Sequence, residues 1–179
     1  MQWIIDPSHT SLQLAVRHMA ISTVRGQFKK VTGTIETADD GTLKSIEGVI
    51  DAASLDTAEP QRDAHLRSPD FLDAEKYPNL TFRSTAVQAR GDGKYLVKGD
   101  LTIREETRPV SLEVEAGQPI TDPYGNLRAG ASATGTLNRK DWDLTWNMVL
   151  ELGALLVGEE VRFTLDVEAL VPAAAPAVA

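Results

Sequence analysis

Three histidines offer the most versatile chemistry in this chain, and they are His9, His18 and His65. Three imidazoles can hold a catalytic zinc ion. Their spacing contains no His-x-His or His-x-x-x-His pair, so only tertiary folding could gather them. This pattern favours histidines that face solvent or make structural hydrogen bonds. We therefore predict neither a metal site nor a cofactor.

Motifs for nucleophilic, acid–base or phosphoryl chemistry do not stand out in the sequence. There is no Gly-x-Ser-x-Gly elbow, and residues 130–135 (GASATG) resemble a strand. Paired carboxylates such as Glu159-Glu160 lie at predicted turns, which is typical of solvated charge. No glycine-rich loop leads into a helix, and the chain has no cysteine. We predict no catalytic residues and a protein that is not an enzyme.

Polar and aromatic residues at three places indicate the rim of a binding site. Each place lies at the end of a predicted strand or within a predicted helical insertion. The residues are Arg17 and His18; Asp63, His65 and Arg67; and Arg139 and Trp142. If the three places meet, an apolar cavity gains a cationic mouth, which is a usual form of small-molecule site. The alternative is that they form salt bridges that anchor the helix to the strands, and both interpretations stay open.

Alternating apolar and polar residues predict the strands that must carry these groups. Residues 11–17 and 95–104 are clear examples, with apolar side chains on one face and polar ones on the other. Residues 24–37 are predicted as one long strand, in which Gly26 and Gly33 mark bulges or bends. Short turns rich in Gly, Asp and Asn join about eight such strands. The periodicity predicts an all-β antiparallel fold, either a sandwich or a closed barrel.

A short helical insertion interrupts the strands between Thr57 and Tyr77. Pro60 suits a first helical turn, because a proline there removes no helical hydrogen bond. Ser68 and Pro69 then predict the N-cap and first residue of a further helical segment. We expect this charged insertion to close one end of a barrel.

The more apolar face of the strands is predicted to line the barrel interior. The pore-lining residues are Leu12, Leu14, Val16, Phe28, Phe82, Leu101, Ile103, Leu112 and Phe163. A strand of small residues at 129–135 favours free space inside, since a filled core would need larger side chains there. The alternative is that bulky residues of a neighbouring strand, or a second subunit, cover the small residues.

The composition limits the number of domains and the classes of partner. The length of 179 residues suits one domain, placed at residues 1–171, with a disordered Pro/Ala tail at 172–179. The formal net charge of −8, without a basic stripe, argues against nucleic acid and anionic lipid surfaces as partners. No apolar run is long enough to span a bilayer, and no secretory signal opens the chain. We expect a cytoplasmic protein, or a periplasmic one if a leader has been trimmed.

Short motifs follow one another in a fixed order from Trp3 to about Leu170. They are residues 3–10 (WIIDPSHT), 16–19 (VRHM), 24–28 (VRGQF), 62–73 (RDAHLRSPDFLD), 77–82 (YPNLTF), 99–103 (GDLTI), 107–110 (TRPV), 138–142 (NRKDW) and 157–161 (VGEEV). The ordered set resembles the YceI-like family over almost the whole chain. The chain departs from the family pattern at Glu105-Glu106 and at Asp143, which stand where glycine is common.

This resemblance implies a lipocalin-like, extended antiparallel β-barrel whose apolar pore holds a long polyisoprenoid or a quinone-like chain. The function it implies is non-catalytic binding, storage or transport of that lipid. If the head of the lipid is a diphosphate, we expect Arg17, His18 and Arg139 to pair with its oxygens.

Two other functions remain open from the sequence. One is a hydrolase or isomerase that acts on a hydrophobic substrate through His18, His65 and Asp63. Their convergence within hydrogen-bond reach inside the cavity would favour it. The other is a scaffold with a filled core, whose functional surface would be a homodimer interface.

Overall fold

The structure is a computed structural model that describes residues 1–172, apart from the side chain of Leu152. The strands are β1 (Gln2–Ile5), β2 (Ser11–His18), β3 (Ser22–Phe28), β4 (Val31–Thr37), β5 (Leu43–Asp51), β6 (Leu55–Asp56), β7 (Asn79–Gly91), β8 (Lys94–Ile103), β9 (Glu106–Ala116), β10 (Ile120–Thr121), β11 (Leu127–Asn138) and β12 (Val157–Val171). The helix α1 spans Pro60–Arg67. The disordered tail predicted at 172–179 lies outside the described residues, except for Pro172.

The strands form an antiparallel sheet that closes on itself. β11 pairs with β9 along one edge and with β12 along the other, which joins the two ends of the sheet. Consecutive short strands share one position in the wall: β1 with β2, β3 with β4, β5 with β6, and β9 with β10. Counted in this way, the wall has eight strands, which confirms the predicted all-β antiparallel barrel.

The wall bends where one strand ends and the next changes partner. Residues 24–37, predicted as one strand, belong to two, with Lys29 and Lys30 between β3 and β4. β3 pairs with β2, whereas β4 pairs with β1. The predicted strand is therefore interrupted between Gly26 and Gly33 rather than at either glycine. It ends where the neighbouring strand with which it pairs changes.

The two ends of the barrel differ. The helix end carries α1, the turn at 19–21 and the long segment at 139–156 between β11 and β12. The hairpin end carries the short turns at 38–42 and 122–126, among others. The antiparallel order of the strands fixes which connections share an end.

The helix α1 begins as the sequence predicts but ends earlier. Pro60 lies in the first turn, and the Glu59 carboxylate accepts hydrogen bonds from the first backbone N–H groups of the helix. Ser68 is the C-cap, because its backbone N–H and its hydroxyl both donate to the carbonyl of His65, at 3.1 and 2.7 Å. The further helical segment predicted from Ser68 and Pro69 is therefore wrong, and turns follow instead.

Two glycines make room for aromatic rings inside the wall. A β-carbon at Gly99 would overlap the ring of Phe82, and one at Gly135 would overlap the ring of Phe163. Both rings pack against the apolar cluster near the helix end and the one near the hairpin end. These glycines let large residues lie flat against the wall.

The replacement Gly99→Ala is expected to lower the free energy of unfolding by about 1–3 kcal/mol, because overpacking forces neighbouring groups apart. The added methyl would overlap the Phe82 ring and lie 2.6 Å from the carbonyl oxygen of Arg83. Gly130→Ala is the matched control, since the nearest atom, the carbonyl oxygen of Val167, is 3.9 Å away. Urea unfolding measures both variants, and equal stability of the two would contradict the packing described.

Candidate ligand-binding cavity

An apolar cavity of about 900 Å³ runs through the barrel. This volume lies near the upper end of the range for small-molecule sites, roughly 300–1,000 Å³. Along β12 the lining extends from Val157 at the helix end to Ala169 near the hairpin end. At ~3.3 Å per residue and a strand tilt of ~40°, this span is roughly 30 Å. The cavity lining is therefore elongated along the barrel.

All nine residues predicted to line the pore lie on the wall of this cavity. They are Leu12, Leu14, Val16, Phe28, Phe82, Leu101, Ile103, Leu112 and Phe163. Directly paired residues on neighbouring strands share the inner face, as Leu14 and Phe163 do. The face chosen from alternation therefore borders the cavity, and contact of these side chains with a ligand stays a prediction.

The small residues of β11 leave space in one part of the barrel and are covered in another. Ala129, Ala131 and Ala133 line the cavity. Gly135 is paired with Phe163, whose ring covers it. The interpretation that small residues leave free space therefore applies to the three alanines. The interpretation that a bulky neighbour covers them applies to Gly135.

An aromatic cluster lies at the helix end of the cavity and consists of His65, Phe71 and Trp146. The ring centres are 4.5 Å apart for His65 and Trp146, 5.2 Å for His65 and Phe71, and 5.4 Å for Phe71 and Trp146. His65 Nε2 lies 2.8 Å from Oδ2 of Asp70, which orients the imidazole. Such a cluster can pack against a planar or unsaturated group. Sequence reasoning missed Trp146, because its segment shows no periodicity that would place it inside.

Arg139 is a buried cation on the cavity wall, with 4% of its surface exposed. Its Nε donates to the carbonyl of Gly158 at 2.9 Å, and its Nη1 donates to the carbonyls of Trp146, at 2.9 Å, and of Leu144. Among residues 1–172, no carboxylate forms an ion pair with it, and burial lowers its pKa. Arg139 therefore ties the 139–156 segment to the start of β12.

Arg17 and His18, two of the predicted rim residues, line the helix end of the cavity. The Arg17 guanidinium donates to the carbonyl of Ala20 at 2.6 Å and to the hydroxyl of Thr23 at 3.2 Å. Like Arg139, it is engaged by groups of its own chain. Hydrogen bonds within the chain therefore occupy part of the donor capacity of the two arginines at the mouth.

The other three predicted rim residues lie outside the cavity wall. The buried Asp63 carboxylate accepts hydrogen bonds from the backbone N–H of Thr57, at 2.8 Å, and from its hydroxyl, at 2.6 Å. Arg67 donates to the carbonyl of Leu55 in β6. Trp142 donates its indole N–H to a carbonyl of β8 at 2.9 Å. These side chains anchor the helical insertion and the 139–156 segment to the wall, mostly through hydrogen bonds to the main chain.

The structure does not assemble the hydrolase or isomerase site that the sequence left open as an alternative. His65 pairs with Asp70, and Asp63 is occupied by Thr57. Within the part of the chain that the structure describes, no hydrogen bond joins His18, His65 and Asp63 to one another. The structure therefore does not bring these three side chains together as one catalytic group.

A charged network lies near the hairpin end and centres on Arg128. Its guanidinium contacts Oδ2 of Asp122 at 2.7 Å, Oδ2 of Asp6 at 3.0 Å, and the carboxylate of Glu168. Ligand atoms of Asp6, His9 and Glu168 lie within 4.8 Å of one another, a spacing that a metal ion would accept. Arg128 already supplies positive charge to both carboxylates, so this cluster is explained as an ion-pair network.

The network predicts how stability depends on pH. Hydrogen bonds from Arg128 and then from Asn126 hold the pKa of Asp122 well below its usual range. A carboxyl with a lowered pKa stabilises the fold above its ordinary pKa of about 4, and that contribution is lost as the pH falls. We therefore expect Arg128→Gln to lower the midpoint of urea unfolding at pH 7, with a gap to the native protein that narrows below about pH 4.

The matched control for that prediction is Arg162→Gln. Arg162 pairs with Glu160 at 2.9 Å, and the two side chains are 75% and 59% exposed. An exposed pair of this kind contributes little, so its loss should leave the midpoint nearly unchanged at every pH. A constant gap between Arg128→Gln and the native protein from pH 7 to pH 3 would contradict the role assigned to the network.

The fold and cavity have counterparts among known proteins. Residues 3–169 match the family described as the YceI-like domain. The chain belongs to the YceI-like family. A UPF0312 protein of Vibrio parahaemolyticus is 37% identical over 145 residues, covering 79% of this chain and 77% of the relative.

Solved structures share the barrel. The YceI protein of Campylobacter jejuni superposes with a TM-score of 0.75 at 28% identity, covering 87% of this chain and 90% of that one. A polyisoprenoid-binding domain from Saccharophagus degradans superposes with a TM-score of 0.69 at 16% identity, covering 95% and 98%. In the described residues of this YceI-like protein, no helix is both long and apolar enough to cross a membrane.

At one position where the chain departs from the YceI-like pattern, the backbone has the conformation that favours glycine. Asp143 has a φ of 56°, in the left-handed region that glycine adopts without cost. The other departure, Glu105-Glu106, follows Arg104, and it is Arg104 that has the left-handed φ, at 57°. Both turns thus keep a left-handed residue without glycine.

Proposed function

We propose that this protein binds a long-chain isoprenoid or a quinone-like lipid in the barrel cavity, without catalysis, and stores or transports it. The observation that carries the proposal is the cavity itself, which is apolar and is lined along β12 from Val157 to Ala169. The Saccharophagus degradans domain, described as polyisoprenoid-binding, has the same fold. Its ligand class fits a cavity of this shape.

The energetics favour a long chain over a short one. Each buried CH₂ group contributes about 0.8 kcal/mol, so ten such groups give at most ~8 kcal/mol. Association costs several kcal/mol, roughly 4–15, in lost freedom of motion. A short chain is therefore bound weakly, whereas a chain that fills the length of the cavity is bound tightly.

The helix end favours a neutral head group over a diphosphate. A diphosphate needs guanidinium groups that are free to form paired hydrogen bonds. Arg139 and Arg17 instead donate to main-chain carbonyls, at 2.9 and 2.6 Å. The aromatic cluster of His65, Phe71 and Trp146 offers ring faces and edges instead. A quinone ring or an alcohol suits these surroundings better than two phosphates.

The test is to purify the protein from cells, extract it with organic solvent, and identify lipids by mass spectrometry. We expect an isoprenoid or prenylated quinone at about one molecule per chain. Thr134→Phe, an outward-facing change on β11, is a control that should retain it. An extract without any lipid, together with failure to take up an added polyprenol, would overturn the proposal.

A further inference from the structure

Exposed apolar side chains gather at the helix end, beside the mouth of the cavity. They belong to two connections, the turn at 19–21 and the hairpin at 147–156, and Ile21 and Val149 are 76% and 74% exposed. We name this group the apolar tip, which comprises Met19, Ile21, Met148, Val149 and Leu155.

The main chain of the apolar tip satisfies many of its own hydrogen bonds. The backbone N–H of Met19 donates to the carbonyl of Leu156 at 2.9 Å, which joins the two connections. The N–H of Leu156 donates to the carbonyl of Met148 at 2.9 Å, and that of Ile21 to His18 at 3.1 Å. Polar main-chain groups that are paired in this way can enter an apolar medium at little cost.

The apolar surface of the tip continues into the cavity. Leu156, whose backbone holds the two connections together, also lines the cavity. Val24 on β3 and Trp146, just before the hairpin, line it as well. A hydrocarbon chain at the tip would therefore meet apolar side chains from the outer surface to the interior.

We propose that the apolar tip docks on the surface of a lipid bilayer and that the ligand enters or leaves the cavity there. This inference rests on the proposed function, since an isoprenoid lipid resides in a bilayer. The tip places its apolar side chains among the head groups, as interfacial elements do.

The charge of the chain selects the kind of bilayer. The net charge of −8 opposes an anionic surface, and Glu151, exposed in the hairpin, adds a negative charge at the tip. Docking therefore depends on apolar burial and is stronger on zwitterionic than on anionic lipid.

The experiment is flotation with phosphatidylcholine vesicles, using the full chain. The test variant is I21S/V149S, and the matched control is I120S/Y124S, which removes two side chains at the hairpin end that are 67% and 86% exposed. We expect the control to float as the native protein does, and the test variant to lose about tenfold in partitioning, because two apolar side chains lose burial. Vesicles that contain phosphatidylserine should bind the native protein more weakly.

A second measurement separates this proposal from the proposed function. Polyprenol delivered from ethanol, without vesicles, should bind equally to the native protein and to I21S/V149S. Failure of the native protein to take it up would overturn the lipid-binding function itself. Equal flotation of all three proteins, or no flotation of the native protein, would overturn only docking. A native dimer that I21S/V149S converts to a monomer, without flotation, would instead assign the tip to a second copy of this chain.

Discussion

Replacing Trp142 with alanine is expected to destabilise the barrel by about 3–5 kcal/mol, the usual cost of deleting a large buried aromatic side chain. Trp142 is 2% exposed and belongs to the apolar cluster that includes Leu101 and Leu144. Its indole N–H donates to the carbonyl of Leu101 at 2.9 Å. Because it follows Arg139 on the same 3-10 turn, its loss should also loosen the segment that borders the cavity mouth.

Trp142→Phe separates packing from hydrogen bonding in that prediction. Phenylalanine keeps an aromatic ring in the cluster but removes the indole hydrogen bond to the carbonyl of Leu101, which costs about 0.5–1.5 kcal/mol. Urea unfolding of both variants gives the two contributions. A loss below about 1 kcal/mol for Trp142→Ala would contradict its place in the core.

The second large effect is expected from Ala131→Phe, which should reduce lipid binding at least about tenfold by placing a ring in the channel. Ala131 lies on β11, half-buried and on the cavity wall, opposite Val167 and Ala116 of the neighbouring strands. The ring enters free space, so the free energy of unfolding should change by only about 1 kcal/mol. Uptake of a fluorescent polyprenol analogue measures the effect.

Thr134→Phe is the control, since it adds the same ring to the same strand on the outer, exposed face. It should bind lipid as the native protein does. Ala131→Phe that folds normally and still binds the analogue with unchanged affinity would show that the lipid lies elsewhere.

The sequence predicts the barrel wall well because alternation has only two possible faces. On β8, for example, the apolar set that includes Leu101 and Ile103 is inside, while Lys98 and Asp100 are exposed. Closure is less visible, since it pairs the last strand, β12, with β1 and β2 at the start of the chain. The division of residues 24–37 into two strands was missed, because pairing partners, rather than local propensity, end β3.

The mouth of the cavity was harder to predict because its residues come from irregular connections. Arg139 was expected to meet a ligand, yet main-chain carbonyls occupy several of its donors. Asp63 is occupied in a similar way, because its carboxylate accepts a hydrogen bond from the backbone N–H of Thr57 before the helix. Trp146 reaches the cavity from a segment without periodicity. Which loop meets which side chain depends on tertiary contacts that single-sequence patterns do not contain.

A titration with isoprenoid alcohols of increasing length, followed by isothermal calorimetry, tests the central claim most directly. A channel of roughly 30 Å predicts affinity that rises with each added unit until the chain spans the barrel, and then stays constant. The stoichiometry should be about one lipid per chain. Affinity that is independent of chain length, or absent at every length, would contradict a lipid-binding channel.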